Sequence, residues 1–139
     1  LLPPTTLSNH AVLVGYGRVG KLIAQGLAGI PLLAIEDGAE AQEALRAAAI
    51  ETIAGNAAQD AVLHAANLPG ARLLFVAIPE AFEAGQIVQQ ARKANPSLPI
   101  IARAHFDAEV EHLRSLGATQ VVMGEREIAH AMLEFALKA

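Results

Sequence analysis

The chain has 139 residues, a formal net charge of -4 and 53% hydrophobic residues. That length suits one domain and leaves too little for two, and the apolar fraction is ample for a packed core. Aromatics at 4% and an acidic balance argue against nucleic acid, which needs a basic surface and stacking platforms, and the absence of cysteine excludes disulfides, thiolate metal sites and a cysteine nucleophile.

Residues 1–9, Leu1-Leu-Pro-Pro-Thr-Thr-Leu-Ser-Asn9, carry no periodicity and read as a linker ahead of a domain spanning 10–139. The chain opens on Leu rather than Met and stops within a helical pattern, so a module of a longer protein is expected. No signal-peptide layout or membrane-length apolar run occurs.

From Ala11 onward, strand and helix signals alternate. Ala11-Val-Leu-Val14 is a continuous apolar run, as in a strand buried on both faces. The spacing predicts a helix over about 18–28, with Val19, Leu22, Ile23 and Leu27 turned inward, then a strand over 32–35. A helix over 40–49 and a strand over 51–54 follow. The next helix covers 60–67 and closes at Pro69-Gly70. Arg72-Leu-Leu-Phe-Val-Ala-Ile78 is the strongest strand signal, and Pro79 is placed in the first turn of a helix running to about Ala94. Strands over 99–102 and 119–122 and helices over 107–116 and 125–137 complete the chain. Six strands alternating with helices imply an α/β fold, a Rossmann-like doubly wound parallel sheet in the order 3-2-1-4-5-6.

Between the first strand and helix stands Gly15-Tyr-Gly-Arg-Val-Gly20, the spacing G-x-G-x-x-G. Alone it is a weak signal, but it lies where phosphate binding needs it. Gly15 permits the tight turn, Gly17 lets backbone N–H groups approach an anion, and Gly20 lets the helix pack close to the strand. Glu36 ends the second strand, about twenty residues past the first glycine, where a carboxylate accepts both hydroxyls of an adenosine ribose. A 2′-phosphate at ~4 Å from it would meet repulsion of several kcal/mol, more with Asp37 adjacent, so NADP is disfavoured. Arg18, at the positive end of the first helix, is poorly placed unless an anion binds there.

These residues resemble the potassium-transport nucleotide-binding domains, also called RCK or TrkA-N domains. The resemblance rests on Val12-Leu-Val-Gly-Tyr-Gly-Arg-Val-Gly20, Ala34-Ile-Glu-Asp37, Ala54-Gly-Asn-Ala57, Ile101-Ala-Arg-Ala104 and Leu116-Gly-Ala-Thr-Gln-Val-Val-Met-Gly-Glu125. Within the family it is most similar to the cytosolic parts of Kef-type cation/proton antiporters. The resemblance implies a regulatory domain in which a bound adenine nucleotide, AMP, ATP or NAD(H), controls an attached membrane antiporter. It implies a homodimer at the cytoplasmic face of a bacterial inner membrane, tethered through an N-terminal membrane domain of the same polypeptide. Carried over by position, Gly15, Tyr16, Gly17, Arg18, Val19 and Gly20 would hold phosphate, and Glu36 with Asp37 the ribose. Asn56 and Ala57 would flank adenine, Ile78 and Pro79 would close over the nucleotide, and Arg103, after the fifth strand, would reach its phosphate side. Many relatives have Asp where this chain has Asn56.

The alternative is the cofactor-binding half of an NAD-dependent dehydrogenase. Six strands and their helices use nearly all the residues, leaving no substrate domain, and no serine sits in a nucleophile elbow. His105 and His112, seven apart with Glu109 between them, read as a solvated helix face rather than a metal site. His64 and His130 stand alone. In the last helix Ile128, Ala129, Met132, Leu133, Ala136 and Leu137 form a stripe open to two readings, core packing or a dimer surface.

Overall fold

A computed structural model describes residues 2–138; Leu1, at the head of the expected linker, and Ala139, at the end of the expected domain, lie outside the described residues. Strands β1 (Ala11–Val14), β2 (Leu32–Glu36), β3 (Glu51–Ala54), β4 (Leu73–Val76), β5 (Ile100–Ala104) and β6 (Gln120–Met123) alternate with helices. The helices are α1 (Arg18–Gly26), α2 (Ala39–Ala47), α3 (Asp60–Ala65), α4 (Ala81–Ala94), α5 (Asp107–Leu116) and α6 (Gly124–Lys138). The strands form one parallel sheet in the order β3-β2-β1-β4-β5-β6, so the anticipated order 3-2-1-4-5-6 is the one observed. The order reverses at β1, which pairs with both β2 and β4 and is buried along its whole length.

Alternation along β1 divides the core. Val12 and Val14 pack with Val62 and Leu63 of α3, Ile87 and Val88 of α4, and Val110 and Leu113 of α5. Leu13 turns to the other face, where Leu45 of α2 and Ile23 and Ala24 of α1 meet it. Small helix residues and branched strand residues replace the missing aromatics.

Several boundaries differ from the expectation, each for a physical reason. In α1 the buried residue is Gly20, and the chain rotates about that contact. Ile23 and Ala24, three and four residues on, follow it inward, while Val19 and Leu22 face out at 36% and 68% exposure. Of the four residues expected to face inward, Ile23 does so and Leu27 is half-buried, whereas Val19 and Leu22 do not. Pro79 is not in the first turn of α4: the helix starts at Ala81 with Glu80 as its N-cap, because β4 leaves the sheet after Val76 and the chain needs residues 77–80 to turn. The strand β5 runs on to Ala104, so Arg103 is inside its end rather than beyond it.

Residues 2–9 form no helix or strand, yet they are fastened to the body. The Thr5 N–H donates to Ala65 O at 2.9 Å, the Asn9 N–H to Gly70 O at 2.7 Å, and Asn67 Nδ2 to Leu7 O at 3.0 Å. Across the molecule, Arg92 near the end of α4 donates to Gly117 O (3.0 and 2.7 Å), Asn95 O, Pro96 O and Thr119 Oγ1. One guanidinium thus satisfies carbonyls left over at the ends of two helices. Arg92→Ala is expected to cost about 2–3 kcal/mol, since several charged hydrogen bonds are lost and part-buried carbonyls are left unpaired. The midpoint of urea unfolding measures it.

Candidate functional site

The carboxyl ends of β1, β2 and β4 open into a cleft of about 460 Å³ lined by Gly15, Tyr16, Gly17, Arg18, Glu36, Asp37, Ala41, Ala77, Ile78, Pro79, Glu80, Glu83 and Arg103. This is the switch point of the sheet, the place where open α/β folds bind ligands. A narrower slot continues from it between Val14, Gly15, Ile35, Glu36, Asp37, Gly55, Asn56, Ala57, Ile78 and Glu83.

The glycine turn is shaped by contact as well as by dihedral angle. Gly15 sits at φ +95°, and a Cβ there would lie 2.8 Å from Ile78 Cγ2. Gly17 is the N-cap of α1, and a Cβ on it would point into open space, so its glycine leaves room above the turn rather than filling any. The first turn of α1 has neither a side-chain cap nor an acidic residue. The first N–H groups of a helix lack internal partners, and they face the cleft with the positive end of the helix dipole.

Glu36 is held from two sides. Tyr16 N–H donates to its Oε1 at 2.7 Å and Gly38 N–H to its Oε2 at 2.9 Å. These bonds lock the carboxylate between the glycine turn and the start of α2, with a lone pair on each oxygen left for a ligand. The Tyr16 N–H is thereby used inside the protein, which leaves the amides after it to face the cleft. Its side chain, 7% exposed, packs with Leu13, Ala34, Leu45 and Ala77.

The charges of the cleft are separated. Arg18 at the start of α1 and Arg103 at the end of β5 have no carboxylate within 4.0 Å among the described residues. Arg103 donates only to Ala77 O, at 3.4 Å. Glu36, Asp37, Glu80 and Glu83 line the same cleft. Burial pushes the Glu83 carboxyl above its ordinary value of 4.5, helped by the charges of Asp37 and Glu80.

Eleven of the thirteen residues expected from the sequence thus line the cleft or its slot. Gly20 does not; it packs against the Gly15 carbonyl, which is the role its spacing suggested, and it offers no side for a phosphate. Val19 lies across the helix, in a separate apolar cleft with Arg103, Phe106 and Val122. Asn56 also serves its own turn, accepting from Ala58 N–H at 2.8 Å through Oδ1. The sequence reading missed Glu80 and Glu83. Their signal was position: the first turn after the strand beside the switch point must face the cleft.

His105 precedes α5 instead of lying on it, 3.7 Å from Glu109 Oε1. Among the described residues no three histidine or acidic side chains gather as a metal site.

The fold and cleft define a Rossmann-type domain with the features of a nucleotide site at its switch point. Residues 11–124 match the TrkA-N domain family, and the chain belongs to that family. It is 48% identical over 133 residues to YbaL of Escherichia coli (strain K12), designated a cation/proton antiporter; the match covers 94% of this chain and 24% of that protein. It superposes on the crystal structure of the TrkA-N domain of the E. coli inner membrane protein YbaL with a TM-score of 0.89 at 47% identity, covering 94% of this chain and 98% of that one. A Kef C-terminal domain from Shewanella denitrificans, in an AMP-bound form, matches with a TM-score of 0.78 at 28% identity, over 94% and 80% of the two chains. The chain therefore spans about a quarter of the curated relative.

Proposed function

We propose that this domain is a regulatory sensor that binds an adenine nucleotide and controls an attached membrane antiporter for K⁺ or another monovalent cation against protons. The observation that carries the reading is the division of charge in the cleft. Unneutralised Arg18, Arg103 and the bare N-terminus of α1 suit a phosphate, while Glu36 is already oriented to accept sugar hydroxyls. A 5′-nucleotide carries these two chemistries side by side, a phosphate joined to a sugar with free hydroxyls. The slot beside Asn56 and Ala57, floored by Val14 and Ile35, continues the cleft on the side where a base would follow the sugar. The AMP carried by the Shewanella relative supports the same reading.

The ligand is AMP, ATP or NAD(H), and the adjacent carboxylates disfavour NADP. Control would operate by population shift, the ligand binding one arrangement of the assembled protein better than another. In this reading the domain is not an enzyme; it hangs from an N-terminal membrane domain at the cytoplasmic face of a bacterial inner membrane. Among the described residues no helix is long and apolar enough to cross a membrane itself. Calorimetry with AMP, ATP, NAD⁺ and NADH tests the proposal: heat of binding with at least one is expected, and none at millimolar concentration would refute it. Dehydrogenase turnover by the full-length protein would establish the enzyme reading instead.

The partner is a second copy of the chain, docked through α6. This helix of 15 residues buries none of them, and Ile128, Met132, Leu133, Phe135 and Leu137 are 56–83% exposed. An unpartnered apolar stripe of that length marks an interface. Leu133→Asp is expected to convert a dimer to a monomer in sedimentation velocity, with the circular dichroism of the domain unchanged.

A further inference from the structure

We infer that Glu83 is a specificity-determining residue of the cleft, closing the sugar site from the side opposite Glu36 and barring ribose that bears a second phosphate. The inference rests on the nucleotide reading above. Five residues line both the cleft and its slot: Gly15, Glu36, Asp37, Ile78 and Glu83. They ring the passage between the two. With phosphate at the glycine turn and a base in the slot, the sugar has to occupy that passage.

Glu36 and Asp37 reach the passage from the end of β2, and Glu83 reaches it from the first turn of α4. Carboxylates therefore stand on both walls. A ribose has two free hydroxyls to donate, and Glu36 alone can accept both, so Glu83 is not needed to hold the sugar. What it adds is negative charge on the far wall, in a half-buried setting where screening is weak. No cation lies within ion-pair distance of it among the described residues, Arg18 and Arg103 included. Burial raises its proton affinity, and the nearby charges of Asp37 and Glu80 add to that. A 2′- or 3′-phosphate placed in the passage would meet like charge from two directions. With Glu36 and Asp37 alone it could swing toward the opposite wall; with Glu83 present it cannot.

The test titrates AMP and adenosine 2′,5′-bisphosphate into the 139-residue domain at pH 8, on the alkaline side of neutrality because the Glu83 carboxyl is shifted upward. Wild type is compared with Glu83→Gln and with Glu43→Gln, which removes the same charge from the exposed face of α2 where Glu43 pairs with Arg46. The expected result is that Glu83→Gln shifts the ratio of the two affinities toward the bisphosphate by roughly tenfold, while Glu43→Gln leaves the ratio at its wild-type value. An unchanged ratio in Glu83→Gln, or an equal shift in Glu43→Gln, overturns the inference. If Glu83→Gln does not fold, Glu83→Ala is read by the same ratio. Wild-type protein that binds AMP while the ratio stays fixed removes Glu83 alone; wild-type protein that binds neither compound removes the nucleotide reading and this inference with it.

Discussion

Gly20→Ala is expected to leave the domain unfolded or nearly so, with a loss on the order of 4 kcal/mol or more. A Cβ on residue 20 would penetrate the Gly15 carbonyl oxygen and lie 2.9 Å from its carbon. Both obstacles are backbone, so no side chain can turn aside. Nor can α1 retreat without cost, because Ile23 and Ala24 on the same face fill the smaller core against Leu13. Moving the helix outward opens a void there, and moving the Gly15 carbonyl breaks the turn, whose amide donates to Ile35 O at 3.0 Å. Thermal melting of the two proteins side by side measures the effect. Gly17→Ala is the contrast: its Cβ enters open space, so the fold should survive while the phosphate approach is narrowed. A Gly20→Ala protein that melts with wild type would show that the helix–strand contact is not what holds the corner.

Glu36→Ala has the larger effect on binding. We expect nucleotide affinity to fall by about 1–3 kcal/mol, roughly 5- to 150-fold, in calorimetry with AMP. Two losses combine. The carboxylate that would receive the sugar hydroxyls is gone, and the N–H groups of Tyr16 and Gly38 lose the acceptor that ties the glycine turn to the start of α2. Glu36→Gln separates them. One amide oxygen can still accept from Tyr16 or Gly38, but the charge that strengthens bonds to the sugar is removed. Its affinity should fall between those of wild type and Glu36→Ala. Equal affinity in all three proteins would take Glu36 out of the site.

The antiporter reading places this domain in a role where binding energy, rather than chemistry, is the output. The cleft is consistent with that use: Glu36 is fixed by two backbone N–H groups, and beside it stands a preformed backbone turn. In the proposed dimer the exposed apolar face of α6 would supply the second requirement, a route by which a change at the cleft reaches another copy of the chain. Arg103 lies at the boundary, lining both the nucleotide cleft and the apolar cleft that extends to Gly124 at the start of α6.

Much of this protein is written in local sequence. The continuous apolar run of β1, the glycine spacing after it, the acid that ends β2 and the full extent of α5 all follow from patterns within a few residues, because period and turn chemistry are local properties. The sheet order followed from alternation and from the handedness of crossovers. The rest needed three dimensions. Which face of α1 turns inward was decided by the approach of Gly20 to a carbonyl five residues earlier, and that contact outweighs the pull of Val19 and Leu22 toward burial. Whether α6 packs or projects depended on how much sheet was left for it to cover, which no stripe of Leu and Met reveals. Glu83 became part of the cleft only when the end of β4 swung residues 77–80 around the corner and aimed the first turn of α4 at Asp37. A side chain's distance to its own helix is set by sequence, but its distance to another strand is set by the sheet.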